Sequence, residues 1–209
     1  MDGDVAPLGE LASAAKGRGA WLVVDDAHGL GVVGASGRGT LEQCGLGPEA
    51  LPVLIGTFGK AFGTCGAFVA GAAPLIETLV QRARTYIYTT ALPHALAAAT
   101  RTAVAIATRE SWRRERVLAL TQRFRTAARQ AGIPLTSSAT PIQPIILGSS
   151  EATLRASTRL YDAGFWVAAI RPPTVPRNAA RLRVTLSASH TESEVDELVE
   201  ALRRIVTVG

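Results

Sequence analysis

The sequence predicts an α/β protein in which a domain with a mostly parallel sheet precedes a smaller α+β domain. In the first half of the chain, short apolar runs alternate with helical segments, and a strand–helix–strand order implies parallel strands. The pattern changes later: residues 181–187 alternate polar with apolar side chains, as a half-exposed strand does. We therefore expect domains at 1–112 and 113–209. Their boundary lies on or between two helices, since no Gly/Ser linker marks it.

The elements of the first domain follow from the spacing of apolar and turn residues. The run 21–24 is continuous, apolar and bounded by turn signals, as buried strands are, and the run 51–55 has the same character. Pro74 lies near the start of a helix, a position that proline favours. The predicted elements are a helix at 7–16, strands at 21–24, 51–55 and 65–70, a helix at 74–84, a short β-prone stretch at 86–90 and a helix from 93 towards 107.

The second domain is predicted to mix helices with strands. Apolar residues at spacings of three and four indicate a helix over 112–131. The segment from Thr191 to Glu194 matches a capping box, which opens a final amphipathic helix that reaches Ile205. Between these helices we predict a strand at 142–147, a helix at 151–163, and strands at 165–170 and 181–187.

Composition argues against several classes of function. The net charge is +5 and the pI is near 9.9, yet aromatic residues are sparse and no DNA- or RNA-binding motif is present, so we expect no nucleic-acid partner. A basic surface also suits an acidic acyl carrier or a phosphate-rich thioester. No run approaches the roughly 20 apolar residues of a membrane span, so we expect no membrane association.

The two cysteines and the N-terminal residues bear on the cell compartment. Cys44 and Cys65 fit no metal-ligand spacing, so no metal site is predicted, and two lone cysteines suit a reducing cytoplasm. The first residues lack the basic and apolar regions of a secretory signal. We expect a cytoplasmic protein in which Cys65 is a small core residue.

Lys60 lies in the stretch around which the first domain is arranged. The apolar run 51–55 is followed at once by small residues, with glycines at 56, 59 and 63 that let the backbone pass close to a ligand. The neighbours Phe58, Ala61 and Phe62 are apolar, and we expect them to desolvate the ammonium of Lys60. Desolvation lowers the pKa of a lysine and makes its amine available as a nucleophile.

A second polar group follows the run 21–24. Asp25, Asp26 and His28 come directly after this predicted strand. Ligands of open α/β sheets bind beyond the carboxyl ends of the strands, so these side chains and Lys60 should meet at one crevice. A carboxylate that pairs with a protonated ring nitrogen, together with a lysine that forms a Schiff base, is what pyridoxal phosphate (PLP) chemistry requires. Asp26 is expected to point to the opposite side of the strand.

The glycines at 29–34 match the dinucleotide pattern G-x-G-x-x-G, which raises a nicotinamide-binding alternative. That pattern has meaning where it opens a helix and where an acidic residue follows a second strand about 20 positions on. Here the glycines continue through Gly37 and Gly39 without helical apolar spacing, and no strand precedes Glu49. A loop that wraps near a site or a subunit boundary is the better interpretation.

Four segments together resemble the α-oxoamine synthases, which are fold-type I PLP enzymes. They are Val24-Asp-Asp-Ala-His-Gly-Leu-Gly-Val-Val-Gly, Gly37-Arg-Gly, Thr57-Phe-Gly-Lys-Ala-Phe-Gly and Ile170-Arg-Pro-Pro-Thr-Val-Pro. The resemblance covers essentially the whole chain, but family members are considerably longer and this chain resembles their C-terminal half. It implies part of a fold-type I large domain followed by a small C-terminal domain.

The resemblance assigns roles to five residues of the first domain. Lys60 would bind PLP covalently and act as the base that removes the α-proton of the amino acid. Asp25 would pair with the pyridinium nitrogen, and His28 would hydrogen-bond the phenolic oxygen. Thr57 would bind the cofactor phosphate, and Thr90 would reach the phosphate in the neighbouring subunit of a homodimer.

In the second domain the resemblance implies two substrate-binding residues. Arg183 would bind the substrate carboxylate through its planar guanidinium, and Thr174 would contact substrate. Arg181 shares a strand face with Arg183, so the choice between these arginines rests on the resemblance. The implied reaction is a decarboxylating condensation of L-alanine with a pimeloyl thioester carried on coenzyme A or acyl carrier protein.

Alternatives remain open. Another α-oxoamine synthase is one, and a fold-type I aminotransferase would share Asp25 and Lys60. A non-catalytic fragment that only associates with a partner belongs to a different class. The family's phosphate-loop and ring-stacking residues have no counterpart in this chain, so we expect the isolated chain to be inactive, to bind PLP weakly, and to leave a sheet edge and an apolar face uncovered.

Overall fold

The computed structural model describes residues 1–206 and divides the chain into two compact units. The first unit is Ala6–Arg114, and the second combines Met1–Val5 with the residues from Glu115 onward. This division lies close to the predicted domain boundary, but the sequence did not indicate that the first five residues belong with the second unit. The domain prediction itself stays a prediction, because contacts do not show independent folding. Residues 207–209 of the predicted second domain lie outside the described residues.

The sheet of the first unit has three strands. They are β1 (Val23–Asp25), β2 (Val53–Thr57) and β3 (Ala67–Gly71), in the order β1-β2-β3. The pairing of β1 with β2 is parallel, as predicted, and Asp25 lies opposite Ile55. The pairing of β2 with β3 is antiparallel. Both carboxyl ends of the parallel pair therefore lie at one edge of the sheet.

The helices of the first unit follow the predicted order with one correction. The β-prone stretch 86–90 begins inside a short helix, where the Tyr88 N–H donates to the Arg84 carbonyl at 3.1 Å. Local helical hydrogen bonds override the β propensity of these residues. The helices are α1 (Leu8–Gly17), α2 (Thr40–Gln43), α3 (Ala73–Arg82), α4 (Arg84–Ile87) and α5 (His94–Arg109), with a 3-10 turn at Pro48–Ala50; α2 and the 3-10 turn were not predicted.

Much of the apolar surface of the first unit is exposed. The sequence predicted a buried strand over 21–24, but Trp21 is 68% exposed and Val23 is 55% exposed. Within residues 6–114, α3 and α5 bury no residue. Individual apolar side chains are therefore exposed, in line with the expected uncovered apolar face; that they form one continuous face stays a prediction. None of the helices within residues 1–206 is long and apolar enough to cross a lipid bilayer.

The second unit has a well-filled core. Its strands are β4 (Ile142–Gly148), β5 (Ala168–Ile170) and β6 (Ala180–Thr185), in the antiparallel order β4-β6-β5. Helices α6 (Trp112–Gln130), α7 (Ser150–Asp162) and α8 (Glu192–Val206) accompany the sheet. Side chains from all three helices and the sheet are fully buried, among them Phe124, Ile145, Leu160, Leu182 and Leu202.

The predicted capping box at the start of α8 is confirmed. The Glu194 N–H donates to the Thr191 hydroxyl at 3.2 Å, and the Thr191 N–H donates to a Glu194 carboxylate oxygen at 2.7 Å. These bonds satisfy N–H groups that the first helical turn leaves without partners. The cap fixes the start of a helix that buries Val195, Leu198, Val199 and Leu202.

We expect Thr191→Ala to lower the free energy of unfolding by about 1 kcal/mol, because it removes the side-chain acceptor of this cap. Urea denaturation followed by circular dichroism would measure the change. The matched control is Thr102→Ala, where the hydroxyl bonds only within its own helix, to the Ala98 carbonyl. Equal losses in both variants would contradict a specific contribution from the cap.

Candidate functional site

The parallel pairing of β1 with β2 brings the strand ends that carry Asp25 and Thr57 together, and the turn with Lys60 follows directly. The Asp26 N–H donates to the Ile55 carbonyl at 2.9 Å, so the pairing continues to the last residue before the chain turns away. Asp25 ends β1 and Thr57 ends β2. Lys60 follows β2 in the turn beyond these strand ends, as the sequence predicted.

The turn that carries Lys60 is closed by backbone hydrogen bonds. The Phe58 N–H donates to the Gly66 carbonyl at 2.9 Å, and the Thr64 N–H donates to the Phe58 carbonyl at 2.8 Å. Within this closed segment the Gly63 N–H donates to the Lys60 carbonyl at 3.0 Å, and Gly63 has a φ of +62°, a conformation that favours glycine. Lys60 therefore lies on a turn whose backbone is held by hydrogen bonds.

Two threonines fasten this turn to its surroundings. The Thr57 hydroxyl donates to the Gly66 carbonyl at 3.0 Å and accepts from the Gly59 N–H at 3.2 Å. The Thr64 hydroxyl lies 2.9 Å from the hydroxyl of Thr100, which belongs to α5. The turn is therefore held by both β2 and α5. Thr57 lies where the sequence placed it, with its hydroxyl occupied by the backbone of the turn.

The expected desolvation of Lys60 is wrong for the described residues, because its side chain is exposed. The apolar neighbours pack elsewhere. Phe58 stacks edge-on with Phe62 at a centroid distance of 5.9 Å, and Ala61 lies so close to Gly31 that a Cβ there would be 2.8 Å from the Ala61 Cβ. These residues support the turn and leave the amine open to a ligand.

Adjacent carboxylates at the end of β1 have opposite environments. Asp26 is 5% exposed and accepts from the Thr40 N–H and the Thr40 hydroxyl, each at 2.6 Å. Asp25 is exposed, and its Oδ1 accepts from the Ala27 N–H at 3.0 Å. Within residues 1–206 its Oδ2 has no hydrogen-bond partner. The burial of Asp26 and its bonds to Thr40 agree with the structural role expected for it, and the cofactor-binding role of Asp25 stays a prediction.

The glycine-rich loop after β1 is built around Asp26. A Cβ at Gly29 would lie 2.1 Å from Asp26 Oδ1, and a Cβ at Gly39 would lie 2.0 Å from Asp26 Oδ2, so both positions require glycine. The chain then forms turns and reaches a helix only at Thr40. The nicotinamide-binding alternative needs a helix that opens at the glycines, and the structure has none there.

Glu42 and Arg114 stabilise this loop, and no local pattern in the sequence indicated either residue. Glu42 accepts from the Ser36 hydroxyl at 2.6 Å and from the Arg38 N–H at 3.0 Å. These hydrogen bonds lower the pKa of the Glu42 carboxyl, and the bond from the Ser36 hydroxyl has the larger effect. The Arg114 side chain is buried against Gly37, and its Nη1 donates to the Ala107 carbonyl.

The remaining predicted groups of the first unit are accessible. His28 is exposed in the turn that directly follows β1. Thr90 is exposed, beyond the end of α4. Cys65, which we expected in the core, is exposed, because it lies in the turn between Lys60 and β3 rather than inside the strand.

In the second unit, the two predicted substrate-binding residues lie on a turn and on a strand. Thr174 is exposed in a turn closed by its own N–H, which donates to the Arg171 carbonyl at 3.0 Å. The Pro172–Pro173 bond in this turn is cis. Arg183 lies on β6 and is partly exposed, whereas Arg181 on the same face is buried.

We expect Asp26→Asn to lower the free energy of unfolding by about 1.5–3 kcal/mol, because an amide cannot accept both hydrogen bonds of the buried carboxylate. The neighbouring change Asp25→Asn is the matched control and should shift stability by no more than about 0.5 kcal/mol, since that carboxylate is exposed. Urea denaturation of both variants would measure the contrast. A larger loss for Asp25→Asn would reverse the roles assigned to the two residues.

The chain matches the family model of the class I and II aminotransferases over residues 1–202. It is 58% identical over 204 residues to the 8-amino-7-oxononanoate synthase of Thioalkalivibrio sulfidiphilus, and the match covers 98% of this chain and 52% of that protein. It is 59% identical over 202 residues to the 8-amino-7-oxononanoate synthase of Pseudomonas putida, covering 97% of this chain and 52% of the relative. The chain thus spans about half the length of the curated relatives it matches.

Solved structures agree with the sequence comparison. A serine palmitoyltransferase variant from S. paucimobilis, with a bound PLP–myriocin aldimine, superposes with a TM-score of 0.94 at 30% identity, over 100% of this chain and 52% of that one. The 8-amino-7-oxononanoate synthase of Francisella tularensis gives a TM-score of 0.82 at 29% identity, over 95% of this chain and 58% of that one. The predicted fold-type I architecture and the resemblance to α-oxoamine synthases are confirmed. The chain belongs to the class I and II aminotransferase family.

Proposed function

We propose that this chain forms part of a PLP-dependent α-oxoamine synthase of biotin biosynthesis. The reaction joins L-alanine to the acyl group of a pimeloyl thioester, releases carbon dioxide and the thiol, and yields 8-amino-7-oxononanoate. The observation that carries the proposal is the placement of Lys60 and Asp25 at one edge of a parallel strand pair. Because the chain spans about half the length of its relatives, activity, substrates and partners are proposed for the assembled protein.

The groups at this edge fit PLP by their chemistry. An exposed lysine amine lies on an ordered turn, and a carboxylate oxygen of Asp25 is left without a partner among residues 1–206. A histidine follows that carboxylate, and a threonine hydroxyl ends the neighbouring strand. When bound, PLP supplies an electron-withdrawing ring that stabilises negative charge at the α-carbon of an amino acid.

Asp25 sets the protonation of the bound ring. Its Oδ2 accepts a hydrogen bond from the ring nitrogen and keeps that nitrogen protonated, since an opposite charge at short range favours the charged form. His28 donates to the phenolic oxygen from the turn after β1. Thr57 binds the phosphate from the end of β2 when its hydroxyl proton turns from the Gly66 carbonyl to a phosphate oxygen, and it still accepts from the Gly59 N–H. Thr90 binds the phosphate held by the neighbouring subunit of a homodimer.

Lys60 holds the cofactor and moves the proton. Its Nζ would hold PLP covalently in the resting protein, and the same amine, when free, would serve as the base that takes the α-proton of the amino acid. The hydrogen bonds of Thr57 and Thr64 restrain the turn, so the amine works from a defined position. In the second unit, Arg183 binds the substrate carboxylate and Thr174 contacts the substrate.

The comparisons favour an α-oxoamine synthase over the aminotransferase alternative. The family model is named for aminotransferases, but the relatives at 53–59% identity are named 8-amino-7-oxononanoate synthase. The same relatives at 53–59% identity favour alanine over serine; the solved structures do not separate the two, since serine palmitoyltransferase is 30–31% identical and the Francisella tularensis synthase 29%. The thioester carrier is coenzyme A or acyl carrier protein, and the net positive charge of the chain suits either. We propose a cytoplasmic homodimer.

Co-expression of this chain with the N-terminal half of the Thioalkalivibrio sulfidiphilus relative should give thiol release from pimeloyl-CoA with L-alanine. We expect Lys60→Ala to lower the rate at least about 100-fold, the contribution of a positioned general base. The matched control is Lys16→Ala, because Lys16 is the only other lysine of the sequence. The rate of this variant should be unchanged.

Three results of this assay would contradict the proposal. A preference for serine or glycine over alanine would indicate another α-oxoamine synthase. Amino transfer to a keto acid without thiol release would indicate an aminotransferase. A soluble assembled complex that catalyses neither reaction would support the non-catalytic alternative.

A further inference from the structure

Two arginines on β6 compete for the role of carboxylate binder. Arg181 and Arg183 lie on the same face of the strand, opposite Ile146 and Pro144 of β4 respectively. Residues two apart on a strand are separated by about 6.7 Å. A carboxylate bound at one guanidinium instead of the other would therefore displace its amino acid by several ångströms. A single binding position for the carboxylate therefore requires that only one of the two guanidinium groups be available.

Arg181 is already occupied. Its Nη1 donates to the carboxylate of Asp2 at 2.5 Å, and its Nε donates to the Ala179 carbonyl at 2.9 Å. The side chain of Arg181 is 7% exposed. A buried guanidinium with a carboxylate partner is a satisfied ion pair and does not need a further anion.

Asp2 is held in place by the residue that follows it. The Gly3 carbonyl accepts from the Ser138 hydroxyl at 3.1 Å and from the Thr140 hydroxyl at 2.9 Å. Gly3 has a φ of +77°, and a Cβ there would lie 2.5 Å from the Ser138 Oγ and 2.6 Å from the Ile142 carbonyl oxygen. Only glycine fits this position, so the N-terminal residues enter the second unit in one way.

Among residues 1–206, Arg183 differs from Arg181 in having no carboxylate partner. Its Nε donates to the Met1 carbonyl at 3.1 Å, and within residues 1–206 its two terminal nitrogens have no hydrogen-bond partner. The side chain is partly exposed. This guanidinium therefore keeps its paired terminal donors for a ligand, and a bidentate pair with a carboxylate uses such a fork.

We propose that Asp2 is a positioning residue that binds Arg181 and thereby leaves Arg183 as the single guanidinium on this face of β6 for a substrate carboxylate. The inference rests on the proposed function, in which Arg183 binds that carboxylate. Without Asp2, Arg181 would be a buried charge without its carboxylate partner, which is unfavourable. An added carboxylate that binds Arg181 would relieve this cost. The substrate carboxylate would then be divided between two positions.

Acetate is the probe for this proposal, and the full chain is the sample. The Nε–H resonances of Arg181 and Arg183 are followed by nuclear magnetic resonance during an acetate titration, with chloride at the same ionic strength as the control. In the unsubstituted chain we expect acetate to shift the Arg183 resonance and to leave Arg181 unchanged. In Asp2→Asn, the Arg181 resonance should shift as well, and Asp2→Glu should restore the original response.

Two further variants separate positioning from a purely structural role. In the double variant Asp2→Asn/Arg181→Met, the Arg183 response should equal that of the unsubstituted chain, because no second guanidinium on this face of β6 then competes for acetate. An Arg183 response that stays altered would mean that Asp2 acts only by stabilising the N-terminal segment. Arg183→Met retains the Asp2–Arg181 pair and serves if Asp2→Asn fails to fold. In Arg183→Met we expect acetate to leave the Arg181 resonance unchanged. An acetate shift of Arg181 in this variant would overturn the proposal.

Failure of this proposal can be distinguished from failure of the proposed function. Equal acetate shifts at both arginines of the unsubstituted chain, or none at Arg183, would overturn the role of Asp2 whatever the outcome of the condensation assay. Conversely, an absence of thiol release would leave the acetate result intact, since the titration requires neither PLP nor turnover.

Discussion

The structure of the candidate site depends on the parallel pairing of β1 with β2. This pairing places the end of one strand, with Asp25, beside the strand that leads into the Lys60 turn. The buried carboxylate of Asp26 maintains the arrangement, because it binds both donors of Thr40 and leaves no room for a side chain at Gly29 or Gly39. The Asp26 carboxylate thus stabilises the loop, whereas the neighbouring Asp25 carboxylate is exposed and is the one we propose for cofactor binding.

The sequence was sufficient to predict the features that depend on local patterns. Apolar runs bounded by turn residues indicated β1 and β2 to within a few residues, and the capping box located the start of α8. The alternation of charged and apolar residues indicated β6. Asp25 and Lys60 could be selected because each directly follows a recognisable strand, and parallel strands bring their carboxyl ends together.

Features that depend on distant contacts could not be predicted in this way. The exposure of Trp21 and Lys60 is decided by what packs against them, which a local pattern does not contain. The ion pair of Asp2 with Arg181 joins residues that are far apart in the sequence, so the local sequence around either residue does not predict it. The helix at 84–87 shows the converse error, because β-prone residues followed local hydrogen bonding once no neighbouring strand was available to them.

We propose that this chain binds PLP at the Lys60 turn. The most direct measurement is to treat the chain with PLP, reduce it with borohydride, and compare the phosphopyridoxyl content of its two lysines by peptide mass spectrometry. Both Lys60 and Lys16 are exposed, so exposure alone predicts equal labelling. Our account predicts preferential labelling of Lys60, with the preference reduced by Asp25→Asn. Labelling that is equal at both lysines, or greater at Lys16, would contradict it.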